Sequence, residues 1–286
     1  MEAFEEPDHP QDHGLAFDVA TLLDRRRAMA LMGGLGLAGA LAACTPADPA
    51  SRAGTATSAT AAETTAATNG GTSATGGAAL VEVPDETAGP FPGDGSNGQD
   101  VLDDSGIVRS DIRGSFGTST RVADGVPLTI RITVKDAGTS QARVGAAVYV
   151  WHCDRDGNYS MYSSGAEQEN YLRGVQVTDA TGTVTFSSVY PGCYPGRWPH
   201  VHFEIYEGVD DATSSGPIVK TSQLALPQAA CEGVYGTTGY DESLRNLSGL
   251  SPATDNVFGD DGGRHQLATM SGDNDQGWTA HLTIGV

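Results

Sequence analysis

Basic side chains are scarce in this 286-residue chain: 16 Lys and Arg stand against 36 Asp and Glu, a formal charge of −20. Phosphate backbones require clustered Lys and Arg, so nucleic acid is excluded as a partner. The acidity reads as a solubility property. Only four cysteines are present. The longest apolar run, residues 28–43, has about 16 residues, short of the ~20 that a bilayer-spanning helix needs. No internal repeat is visible, which removes repeat arrays. No long stretch of helical periodicity is visible either, which removes helical bundles.

What is present begins with an export signal. Arg25, Arg26 and Arg27 precede the apolar, small-residue run 28–43, which ends in Leu41-Ala42-Ala43-Cys44. A charged start, an apolar middle and a small-residue end describe a secretory signal. The ending resembles a bacterial lipoprotein processing box, which implies lipidation of Cys44 and a membrane contact through that anchor alone. The arginines resemble a loose twin-arginine signal. Residues 50–79 are Ala, Gly, Ser and Thr apart from Arg52, Glu63 and Asn69. Such a segment cannot bury a core and behaves as a tether. Three parts are therefore expected: an extension with its signal over 1–44, a linker over 45–79, and one folded domain over 80–286, long enough for a sizeable core. Outside the cytoplasm one disulfide is plausible among Cys153, Cys193 and Cys231. Cys193–Cys231 is the favoured pair, because Cys153 falls in an expected core strand.

From residue 80 the chain reads as short strands separated by Gly, Asp and Pro. Residues 126–134 alternate apolar and polar with period two, as a half-buried strand does. Residues 146–151 form a fully apolar strand. Further strands are expected over 183–186, 201–206, 218–226 and 278–284, with a short helix around 243–247. Many short strands with turn signals specify an all-β fold, an antiparallel sandwich with short helices in its loops.

His200-Val201-His202 opens one of these strands. Side chains at i and i+2 share a face, so both imidazoles can meet one metal ion while Val201 turns away. A Pro- and Gly-rich loop, residues 191–199, precedes them and carries Tyr194 and Arg197. A loop that feeds a strand can bring several side chains over one point. His152 follows a buried strand and reads as structural. His265 and His281 lack ligand spacing to a partner, and His9 and His13 fall in the amino-terminal extension.

Several spaced motifs carry a resemblance. They are Trp151-His152-Cys153-Asp154-Arg155-Asp156-Gly157-Asn158-Tyr159-Ser160, then Leu172-Arg173-Gly174 with Thr178-Asp179, then Pro191-Gly192-x-Tyr194, then Arg197-x-Pro199-His200-Val201-His202-Phe203. Together they resemble the intradiol ring-cleavage dioxygenases, the catechol 1,2- and protocatechuate 3,4-dioxygenases. Glu86-Thr87-Ala88-Gly89-Pro90-Phe91 resembles the stretch that lines that family's active site. The resemblance covers about residues 84–286 and is strongest in the middle.

The resemblance implies an enzyme with Fe(III) held by Tyr159, Tyr194, His200 and His202, Tyr162 being the competing choice for the first tyrosine. Phenolates are hard anionic donors for a hard cation, and a bound cation removes the proton that a free Tyr keeps up to a pKa of about 10. It also implies cleavage of a catechol ring between its two hydroxylated carbons by O2, giving a cis,cis-muconate-type diacid, without reductant or organic cofactor. Tyr194 would leave the metal and take a substrate proton, Arg197 would face the electron-rich ring carbon, and Gln223 would stand beside that arginine. Two departures from the family matter. The helical dimerisation segment of soluble catechol dioxygenases has no counterpart before residue 84, so a monomer is expected. Tyr194 and Arg197 are only three positions apart, which points to the secreted members and to a wider mouth that admits bulkier catechols. The alternative is a non-catalytic extracellular sandwich that kept the fold.

Overall fold

The computed structural model describes residues 80–286. The expected signal, Cys44 and the linker lie outside the described residues. Eight strands form two four-stranded sheets among them: β1 (Pro127–Lys135), β2 (Ala147–Trp151), β3 (Arg173–Val177), β4 (Thr183–Val189), β5 (His200–Tyr206), β6 (Ile218–Ala225), β7 (Thr269–Asp273) and β8 (Gly277–Gly285). The first sheet has the order β4-β1-β8-β7, the second β3-β2-β5-β6. Short helices sit in the connections: α1 (Val209–Ala212), α2 (Gln228–Tyr235) and α3 (Asp241–Leu247). No helix among the described residues is long and apolar enough to cross a membrane.

Among the eight strands the pairing departs from the expected antiparallel pattern once. β1 and β8 run parallel, with Leu128 opposite Trp278 and Val134 opposite Ile284. A parallel pair needs a long crossover between its strands. Here the crossover runs from residue 136 to residue 276, so no local turn signal could have revealed it.

Period two explains the layers. Leu128, Ile130, Ile132 and Val134 of β1 join Val148 and Val150 of β2 and Val201, Phe203 and Ile205 of β5 in one buried cluster between the sheets. Removing each such side chain from water contributes about 1.5–3 kcal/mol. The alternate positions of β2, Ala147, Tyr149 and Trp151, point to the other face and form a second cluster with Ala88, Val101, Ile107 and Tyr159. The second sheet is therefore covered on both sides, which is why every residue of β2 and β5 is buried. That outer face, roofed by the residues that precede β1, carries the polar side chains described below.

Cys153, Cys193 and Cys231 are all free and buried, so the expected Cys193–Cys231 disulfide is absent. Each thiol has its own polar neighbour instead. Cys231 Sγ lies 3.3 Å from Tyr190 Oη, Cys193 Sγ 3.7 Å from the Arg197 carbonyl, and Cys153 Sγ 3.6 Å from the Gly192 carbonyl.

Candidate metal centre

The register of the second sheet sets the two histidines. His202 stands opposite Trp151 of β2 and opposite Gln223 of β6. The Trp151 indole stacks on the His202 ring at 4.9 Å with 4° between the planes. Gly89 roofs the other side, where an added Cβ would lie 3.2 Å from His202 Cε1. His200 is two residues earlier on the same face, and its ring meets that of His202 edge-on at 4.7 Å. The two Nε2 atoms are 3.0 Å apart. His200 Nδ1 lies 2.6 Å from the Trp198 carbonyl. A carbonyl accepts only from N–H, so Nδ1 is the protonated nitrogen and the Nε2 lone pair faces His202. Burial, with Arg197 nearby, holds both imidazoles well below the ordinary histidine range, and both are neutral. Neutral imidazole is the form that binds metals. His202 Nδ1 is buried without a hydrogen-bond partner, and the Trp151 stack packs against that ring.

The tyrosines complete the cluster. The 191–199 loop is drawn tightly under the site. At Gly192 a Cβ would lie 2.5 Å from the Arg155 carbonyl oxygen, so only glycine fits. Tyr194 Oη reaches within 3.3 Å of His200 Nε2 and 3.4 Å of Tyr159 Oη. Tyr159 is buried, and its N–H donates to Ser163 Oγ at 2.8 Å. Its carbonyl accepts from Tyr162 N and Ser163 N, a turn that sends Tyr162 the other way. The Tyr162 hydroxyl donates to Asn97 Oδ1 and accepts from Gly93 N–H, both at 2.9 Å. Tyr159 and not Tyr162 therefore meets Tyr194 and the histidines. Burial pushes the Tyr159 phenol well above its ordinary value, so without a cation it stays neutral.

Two imidazole nitrogens and two phenol oxygens thus converge in a largely buried space. Among the described residues no group of three or more His, Cys, Asp or Glu side chains is placed so that it could hold a metal ion. Any four-donor site built on these histidines must take the phenol oxygens, and this donor set fits ferric iron.

Beside it runs a buried polar chain. Arg197 donates from Nε to Asp255 Oδ2 at 3.1 Å and from Nη2 to Gln223 Oε1 at 2.6 Å. Gln223 Nε2 donates to the Thr87 carbonyl at 2.9 Å. Asp255 accepts three backbone N–H groups as well: Trp198 at 2.6 Å, Val257 at 2.8 Å and Phe258 at 3.1 Å. Burial alone would raise this carboxyl, but Arg197 and the three amides pull it below its ordinary value. Glu86 is its counterpart. Burial, and then Asp260, raise it to about 7 beside Gln266.

Residues 116–209 match Dioxygenase_C, a family model of dioxygenases. That span holds Tyr159, Tyr194, Arg197, His200 and His202; Gln223 and Asp255 fall outside it. Among curated proteins none matches the chain. The solved intradiol ring-cleavage dioxygenase from Tetranychus urticae is similar at a TM-score of 0.57 and 22% identity, covering 72% of this chain and 94% of that one. The dioxygenase domain of a carbohydrate-binding fusion from Streptomyces sp. SirexAA-E shares 21% identity over 72% of this chain and 98% of that one, at a TM-score of 0.47. Catechol 1,2-dioxygenase from Pseudomonas arvilla C-1 shares 18% over 71% and 62%, at 0.45. The likeness to the Tetranychus protein establishes the fold as that of an intradiol dioxygenase.

On this intradiol fold the other described histidines lie apart from the cluster. His152 is buried between Ser188 Oγ and the Cys153 carbonyl, 2.7 Å from each, and burial lowers it to about 4. His281 bonds Thr133 on the first sheet, and His265 bonds Arg264 at the surface. Sequence reasoning missed Asp255. It lies 58 residues beyond Arg197 in an irregular segment, and only an Asp-x-Val-Phe stretch that can cap its own backbone hints at it. Trp151 was read within a motif, but its stacking on His202 needed the β2–β5 register.

Proposed function

We propose that the domain is a non-haem ferric dioxygenase that cleaves catechol-type rings between the two hydroxylated carbons. The observation that carries this reading is the convergence of Tyr159 Oη, Tyr194 Oη, His200 Nε2 and His202 Nε2, each within 3.0–3.4 Å of a neighbour in the set. These four residues would hold the iron. Held there, ferric iron would supply Lewis acidity that favours the catecholate anion and makes the ring electron-rich toward O2.

The chain's own groups do the rest. Tyr194 is the half-exposed member of the set; it takes up a catechol proton at Oη. Arg197, fixed by Asp255 and Gln223, presents a guanidinium whose charge stabilises negative charge growing on the ring carbon. Trp151, Gly89 and Phe258 pack around the histidines and exclude water from that side. The product is a cis,cis-muconate-type diacid containing both atoms of O2. The reading extends to an exported domain tethered through Cys44, working as a monomer, with bulky and simple catechols turned over at comparable kcat/KM. Oxygen uptake on catechol, hydroxyquinol and protocatechuate by iron-loaded protein tests it. Uptake with a visible tyrosinate-to-ferric band supports it. A colourless, inactive protein after iron loading favours a non-catalytic sandwich.

A further inference from the structure

Arg173 opens β3, two strands away from His202 across Trp151. It is buried, and its guanidinium donates to neutral acceptors. Nη1 donates to the Pro92 carbonyl at 2.7 Å and to Tyr149 Oη at 3.1 Å. Nη2 donates to the Phe91 carbonyl at 2.9 Å and the Ser160 carbonyl at 3.0 Å, and Nε to Ser160 Oγ at 3.1 Å. The guanidinium also lies 5.4 Å from the centre of the Tyr162 ring. The buried carboxylate on this face, Glu204, is engaged by Tyr206 at 2.8 Å and Thr221 at 3.4 Å. A guanidinium buried among carbonyls is costly unless its geometry is needed. Leu172 before it sits at a φ of +58°, a conformation that non-glycine residues avoid. The chain thus accepts backbone strain and desolvation at adjacent positions.

What the fork joins explains this. One side is the covering segment 86–93, whose Gly89 lies on His202 and whose Phe91 ring stands 5.1 Å from Tyr159 and 5.0 Å from Tyr162. The other side is Ser160, next to Tyr159. We infer that Arg173 is a positioning residue: its planar fork locks the covering segment to the tyrosine loop and so fixes the roof of the site and the approach of Tyr159 to the histidines. A compact ammonium cannot span these acceptors, so charge alone does not serve. Gly93 belongs to the same lock, because a Cβ there would come 3.0 Å from Arg173 Nη1.

The test compares Arg173→Lys with the milder Tyr149→Phe, which removes one bond to Pro92 and one acceptor of Arg173. Amide exchange is followed on metal-free protein. The amides of Gly93 and Val101 report on the segment, because Gly93 N–H donates to Tyr162 Oη and Val101 N–H to the Gly93 carbonyl. In Arg173→Lys both exchange about tenfold faster while Val201 and Phe203 of β5 are unchanged, with a smaller increase in Tyr149→Phe. Unchanged exchange at Gly93 in both variants overturns the inference. Equal acceleration across β5 overturns it too, since that is general loosening. Only the substrate consequence rests on the dioxygenase reading: in iron-loaded Arg173→Lys the KM for catechol rises more than kcat falls. The exchange result holds even if the unaltered protein cleaves no ring, so the two failures are distinct.

Discussion

At the scale of single residues the site depends on which tyrosine turns inward. Tyr159→Phe removes a donor from the cluster, so ferric binding weakens and the visible band shifts or vanishes, whereas Tyr162→Phe leaves both in place. A ferric titration followed by visible absorption checks this pair. Asp255 is the next test. Asp255→Asn removes the carboxylate that accepts from Arg197 Nε, and breaking a buried pair costs about 3–5 kcal/mol. Denaturant unfolding measures that loss, and activity falls further than stability explains because Arg197 is no longer aimed. Glu86 sets a pH dependence. Its folded-state value of about 7 lies above the ordinary 4.5, so the folded state binds more protons than the unfolded one in that window. Its contribution to stability is full below 4.5 and is lost as pH rises to 7. Glu86→Gln in metal-free protein should gain stability relative to the unaltered chain as pH rises through that window, measured by Tm. A constant difference would contradict the assignment.

At the scale of elements, strands with a clean period were legible and those without it were not. β1 and β5 alternate, and β2 is wholly apolar, so both kinds of burial were readable from side chains alone. β3 begins Arg-Gly, which reads as a loop. Gly174 is required because a Cβ there would lie 2.5 Å from Ile112 Cγ2, a contact made by a segment far away in sequence. β7, Thr-Met-Ser-Gly-Asp, is an exposed edge strand with little apolar content to mark it. The His200–His202 pair was legible from strand geometry. Tyr159 against Tyr162 was not decidable that way, because the turn at Ser163 that separates them carries no period. β5 links core and site: Val201 and Phe203 anchor it between the sheets while His200 and His202 face out. Phe203→Ala should therefore cost about 3–5 kcal/mol in unfolding and loosen the His200–His202 pair with it.

At the scale of the whole molecule, a two-layer core carries its chemistry on the outer face of one sheet. The layers between β1 and β5 supply the stability. The covering segment, the tyrosine loop and residues 255–266 are laid over that outer face and held by buried polar contacts of Arg173, Arg197 and Asp255. The parallel β1–β8 pair joins the first and last strands within the first sheet, away from the site. We propose that this face cleaves the ring between its hydroxyls. The most direct measurement is product analysis of iron-loaded protein acting on catechol under 18O2. A cis,cis-muconate diacid containing both labelled atoms is the expected product. An aldehyde-bearing product, from cleavage beside the hydroxyls, or no labelled product at all would contradict it.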